Sequence, residues 1–178
     1  MRILFNHAFF FSLLSLLLSA CTERINAEPE IYLIPKGYEG SFYVVFNVLS
    51  GKNPMYEGKF RVYRIPENGI LLTQSPFNAG RLKSTEIKFF FIDKNKKRIP
   101  IKHRIFGAVE DTLANRNDKE IYIFSGATGT QELGRGKLSE RCTISTIKFA
   151  VGTKQQILDG IKDIDLFKVF AKPPFPCQ

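Results

Sequence analysis

Apolar positions follow three different rhythms along the chain. From Phe9 to Leu18 they run almost unbroken, with only Ser12 and Ser15 between them. From Glu30 onward they come in short runs, many of period two, which is the spacing of half-buried strands. Glu30–Ile34 is apolar up to Pro35. Ser41–Val48 alternates, with Phe42, Val44, Phe46 and Val48 on one face and Tyr43 and Val45 on the other. Lys59–Ile65, Gly69–Thr73, Glu86–Ile92, Glu120–Phe124 and Thr143–Val151 extend the series. Helical spacing shows once: Thr153 and Gln156 stand as a capping box, and Ile157, Leu158 and Ile161 share a face behind them. Gly160 should keep that helix short, and Asp165–Phe170 reads as a last strand. Turn chemistry separates the runs, at Pro35–Gly37, Gly51–Pro54, Pro66–Gly69 and Ser75–Pro76. The expectation is a mainly β fold, an antiparallel β-sandwich (Ig-like or related) with one short C-terminal helix.

The first rhythm is not part of that fold. With Arg2 ahead of it, the Phe9–Leu18 block has the length of a secretory signal core and is shorter than the roughly 20 apolar residues of a membrane span. It ends in Leu18–Ser19–Ala20–Cys21, which resembles the lipobox of bacterial lipoproteins. Small side chains let a peptidase reach the backbone, and the Cys21 sulfur is the nucleophile open to alkylation. The resemblance implies a diacylglyceryl group on Cys21 and cleavage just before it. Two or three acyl chains anchor a protein stably, where one holds only marginally. In that family an Asp after the Cys signals inner-membrane retention. Thr22 stands there instead, so the expected location is the cell envelope, and the outer membrane if the host is Gram-negative.

The resulting organisation is a lipoprotein signal peptide at 1–20, a lipidated tether at 21–29 and a single β-rich domain at 30–178. Residues 1–20 hold one basic residue and no acid, which leaves 25 basic against 17 acidic residues and a net charge of +8. The export signal disfavours nucleic acid as the reason for that excess. The 44% hydrophobic and 24% charged content excludes a disordered polyelectrolyte.

Tyr38–Val44 is echoed 18 residues later by Tyr56–Val62, each a Tyr-x-Gly turn entering an alternating run. Two copies are too few for a repeat architecture, and they read as adjacent antiparallel strands. The block Ile31-Tyr-Leu-Ile-Pro-Lys-Gly-Tyr-Glu-Gly, with the later Ile65-Pro-Glu-Asn-Gly-Ile-Leu, resembles an uncharacterised family of small bacterial lipoproteins, a domain of unknown function. The matching blocks span about residues 30–75. That family supplies no catalytic residues to carry over.

With Cys21 lipidated, Cys142 and Cys177 are left as an even pair in an exported domain, and a disulfide between them is the economical reading. It would close a loop of about 35 residues and contribute roughly 3–4 kcal/mol by chain entropy. No metal site is expected. His103 is the lone histidine after cleavage, and Glu110, Asp111 and Asp118 lack the spacing of a calcium loop, so they read as solvated acids. No cofactor is expected either. There is no Gly-x-Ser-x-Gly elbow, and Ser125–Gly136 lacks the phosphate-loop spacing and reads as a flexible surface loop.

The densest charge is Lys94, Lys96, Lys97 and Arg98, continued by Lys102 and Arg104. Asp93–Lys97 reads as a turn between apolar runs, whose lysines either protect an edge strand or contact an anionic surface. Three functions follow. The first is a non-enzymatic lipid-anchored envelope module that meets an anionic envelope component or a protein through this turn or the turns at Tyr38 and Tyr56. The second is an envelope hydrolase using His103, or Glu110 with Asp111. The third is an inhibitor or immunity-type partner protein.

Overall fold

The computed structural model describes residues 26–104, 116–133, 142–171 and 176. Among them are nine strands: β1 (Glu30–Pro35), β2 (Gly40–Phe46), β3 (Tyr56–Glu57), β4 (Phe60–Arg64), β5 (Ile70–Leu72), β6 (Ile87–Ile92), β7 (Arg98–Arg104), β8 (Tyr122–Leu133) and β9 (Cys142–Gly152). They form one mixed sheet in the order β3-β4-β1-β6-β7-β8-β9-β2-β5. Strand β7 is where the sheet turns over. Its first half pairs with β6, through Arg98 to Ile101, and its second half pairs with β8, through Lys102 to Arg104. The two halves of the sheet therefore face each other, closed along β7 and open along the opposite side, where the edge strands β3 and β5 lie.

Between the layers lies an aromatic core. Tyr32 of β1 meets Phe89 of β6 at 4.9 Å between ring centroids, and it reaches across to Phe149 of β9 at 5.0 Å. Phe46 of β2 meets Tyr63 of β4 edge-on at 5.8 Å. Such offset and edge-to-face pairs add to what burial alone contributes. Strand β2 is buried along its whole length because both its faces are covered. Phe42, Val44 and Phe46 face the central core. Tyr43 and Val45 join Leu133, Ile144 and Leu166 on the outside. Val48 belongs to that outer cluster too, contrary to its expected place beside Phe46. Asn47 takes φ 57°, and the left-handed residue swings the chain over.

The mainly β expectation holds, with corrections to strand pairing, strand neighbours and helix number. Pairing is mixed rather than antiparallel: β1 runs parallel to both β4 and β6, β2 to β5, and β7 to β8. The two Tyr-x-Gly strands are not neighbours, because β2 lies between β9 and β5 while β4 lies beside β1. Two short helices follow the sheet, not one. Helix α1 (Lys154–Leu158) starts at the expected capping box, with Thr153 Oγ1 accepting from the Gln156 amide. Helix α2 (Leu166–Val169) replaces the expected last strand, because the Asp165 carboxylate accepts from the amides of Phe167 and Lys168 and caps a turn. Both cover the sheet's outer face, through Ile157 over Tyr122 and Phe124 and through Leu166 over Tyr43.

The segment expected as a surface loop from Ser125 is strand as far as Leu133. A bulge between Ser125 and Thr128 keeps it paired to β9. Gly126 sits in that bulge, where a Cβ would come within 2.8 Å of the Lys148 carbonyl oxygen.

Candidate functional site

Strands β1, β4 and β6 are parallel, so they give the molecule two chemically distinct ends. At their starting end the chain enters through Asn26, which bridges to Arg81. Asn78 ties this end together: its side-chain oxygen accepts from the Glu28 amide at 2.9 Å, and its nitrogen donates to the Glu28 carbonyl and to Glu30 Oε1, both at 2.8 Å. Tyr32 donates to Glu30 Oε2 at 2.7 Å. Arg61 pairs with the Glu28 carboxylate and donates to the Pro76 carbonyl at 2.7 Å. Burial pushes the Glu30 carboxyl above its ordinary range, against the opposing pull of Asn78, Tyr32 and Arg61. This is a polar clamp, and its groups satisfy one another.

At the finishing end three turns converge: Lys36–Glu39, Pro66–Gly69 and Asp93–Lys97. From there a groove of about 1200 Å³ runs back along the open side of the sandwich, between β4, β5 and the 50–55 segment. Its wall is apolar, formed by Met55, Val62, Pro66, Ile70, Leu72 and Ile92. Around it stand Lys36, Lys52, Arg64, Lys94 and Lys96, against the two acids Glu67 and Asp93. The Asp93 carboxylate is already engaged, since Oδ1 accepts from the amides of Asn95 at 2.9 Å and Lys97 at 2.8 Å and so closes its own turn. Lys96 occupies the left-handed position of that turn, with φ 62°.

The expected turn at Asp93–Lys97 is present as the β6–β7 hairpin, but the run of cations does not form one patch. Arg98 makes a two-pronged pair with Glu57 and lies over the Phe90 ring. That pair holds the Glu57 carboxyl below its ordinary range. Lys102 pairs with Glu120 at 2.7 Å, and the Arg104 guanidinium sits 4.9 Å over Tyr122. Lys94 and Lys96 turn to the groove, and Lys97 is exposed. Of the two Tyr turns, Tyr38 donates its hydroxyl to the Ser41 carbonyl and is held at about 12 by burial, while Tyr56 is exposed on the edge strand β3.

His103 points inward, not to solvent. Its ring lies 4.9 Å from Phe89, and its Nε2 is 2.6 Å from Ser125 Oγ. Burial pushes its pKa below the ordinary value, so the imidazole is neutral at pH 7. Among the described residues, no carboxylate bonds to the other ring nitrogen. Asp118 is engaged elsewhere, accepting from the Tyr122 hydroxyl at 2.5 Å and lying 3.6 Å from Lys154. Hydrogen bonding to Asp118 is also what raises Tyr122 to about 12. No group of three or more His, Cys, Asp or Glu side chains is placed to hold a metal among the described residues. No helix among them is long and apolar enough to cross a membrane. Glu110, Asp111, Cys21 and Cys177 lie outside the described residues, while Cys142 opens β9 half-buried.

Sequence patterning does not reveal the groove, because five separated segments build it. The one available signal was Lys94 and Lys96 following an apolar strand.

Residues 26–151 match a family described as "Family of unknown function (DUF6843)". The chain belongs to that family. The match takes in eight of the nine strands whole and all but the last residue of β9, so the groove lies entirely inside the DUF6843 region. A crystal structure described as a "Putative Lipoprotein from Bacillus anthracis" resembles this DUF6843 chain at 21% identity over 70% of each chain, with a TM-score of 0.48. No curated protein matches it.

Proposed function

We propose that this DUF6843 chain is a lipid-anchored bacterial envelope protein acting as a binding module, held to the membrane through Cys21 and offering its groove to a ligand. The observation that carries the reading is the polarity of the sandwich. The tether enters at the clamped end beside Asn26, and the groove opens toward the far ends of β1, β4 and β6. Cys21 is five residues before Asn26, a reach of at most ~18 Å. Strand β1, six residues long, rises about 20 Å away from that point. An anchor at Cys21 therefore holds the clamped end to the bilayer and leaves the finishing end free. The lipobox at Leu18–Cys21 supplies the anchor, and Thr22 favours the outer membrane in a host that has one. A Cys142–Cys177 disulfide belongs to the same reading of an exported domain.

Intact-mass measurement of the detergent-extracted chain tests the anchor. Cleavage before Cys21 with added acyl mass is expected, and Cys21→Ala should leave the precursor uncut. A processed, membrane-bound Cys21→Ala chain would remove the reading.

The short His103–Ser125 contact favours a second reading, a serine hydrolase with His103 as base. A fluorophosphonate probe separates the two. The binding-module reading expects no labelling at Ser125, because the serine hydroxyl serves to satisfy a half-buried imidazole.

A further inference from the structure

The walls and rim of the groove define what it accepts. We infer that it holds the acyl chain of a single-chain anionic amphiphile, with the head group among Lys36, Lys52, Lys94 and Lys96; this deepens the binding-module reading and rests on it.

Three observations support this occupant over others. The first is size and lining. At about 1200 Å³ the groove exceeds the roughly 300–1,000 Å³ of small-molecule pockets, and its wall is mostly hydrocarbon, so it suits a long flexible chain. Met55, exposed at 47%, gives that wall an adaptable side chain left in water.

The second is charge. None of the four lysines makes an ion pair among the described residues, although pairs elsewhere engage Arg61, Arg98, Lys102 and Lys148. Of the two nearby acids, Asp93 is committed to its own turn amides, which leaves Glu67. A cluster of cations in excess over an apolar slot complements one anionic head on one tail.

The third is backbone pairing. An extended peptide binds by adding itself to an open sheet edge. Here each edge beside the groove is already met in part by the chain itself: the Val62 amide donates to the Met55 carbonyl and the Lys52 amide to the Leu72 carbonyl, each at 2.8 Å. Among the described residues the slot offers apolar contact and charge with little open strand edge, which suits a lipid tail better than an extended peptide.

The test uses the full chain in phosphatidylcholine nanodiscs and lysophosphatidylglycerol carrying a photoreactive diazirine in its acyl chain. Crosslinks should fall on peptides containing Met55 and Ile70–Leu72. Unlabelled lysophosphatidylglycerol should compete at least about tenfold better than lysophosphatidylcholine. The triple variant K52Q/K94Q/K96Q and the exposed-site variant M55E should each cut labelling about tenfold or more while keeping the wild-type melting temperature. Crosslinks elsewhere, equal competition by the two lysolipids, or full labelling of both variants would overturn the inference. Cys21 acylation, read by mass on the same preparation, reports the anchor separately. An anchored chain with an unlabelled groove ends this inference alone, and an unacylated chain with a labelled groove ends the anchoring alone.

Discussion

The two ends of the sandwich use similar residues to opposite effect. At the entry end Arg61, Glu28, Glu30 and Asn78 engage one another, and they fix the segment that leads into β1. At the far end Lys36, Lys52, Lys94 and Lys96 stand without described ion pairs around an apolar slot. Polar groups that satisfy each other stabilise a fold, whereas unpaired cations beside exposed hydrocarbon keep their interaction energy for something outside it. On this contrast, substitutions at the entry end should cost stability and substitutions at the far end should not.

The largest effect is expected for Asn78→Ala. It strips partners from the Glu28 amide and carbonyl and from the buried Glu30 carboxylate, and should destabilise by about 2–4 kcal/mol in urea unfolding. Glu30 itself sharpens the point through pH. Its carboxyl is raised above 4.5 in the folded state, so the fold binds its proton more tightly than the unfolded chain does. That contribution is complete below 4.5 and is lost as pH rises through the raised value. Glu30→Gln should flatten this part of the stability profile, visible as a shrinking gap to wild type on acidification. His103 acts in the opposite sense. Its pKa is lowered from 6.5, so the stability tied to its neutral form is full above 6.5 and falls away as pH drops through the depressed value. His103→Gln should remove that acid-side loss. Arg98→Gln breaks an exposed pair with Glu57 and should cost under about 1 kcal/mol. The smallest change is expected for K52Q/K94Q/K96Q, within about 0.5 kcal/mol of wild type.

Local features were legible in the sequence, and those joining distant segments were not. The Asp93–Lys97 turn and the Thr153 capping box depend on residues within four positions of each other, and both form as read. Asp165–Phe170 reads as a strand by its apolar residues, but the single capping carboxylate of Asp165 makes it a helical turn. Parallel pairing of β1 with β4 and β6 is invisible to alternation, which records which face is buried and not which strand lies alongside. Beyond Ser125 the glycines of β8 have the composition of a loop, although one of them serves a bulge within a paired strand. Among the candidate site residues, Lys94 and Lys96 reach the groove, while Arg98 is claimed by Glu57, 41 positions away, and Lys102 by Glu120. The ends of long side chains are assigned by the fold, and charge density along the chain does not foretell them.

Binding of an anionic amphiphile at the far end of the sandwich would couple directly to folding. Thermal unfolding of the full chain with and without lysophosphatidylglycerol, kept below its micelle-forming concentration, tests it most directly, because a ligand bound to the folded state alone must raise the melting temperature. A rise that grows with ligand concentration is expected in the wild type and is expected to be absent from K52Q/K94Q/K96Q. An equal rise in both proteins, or none in the wild type, would contradict it.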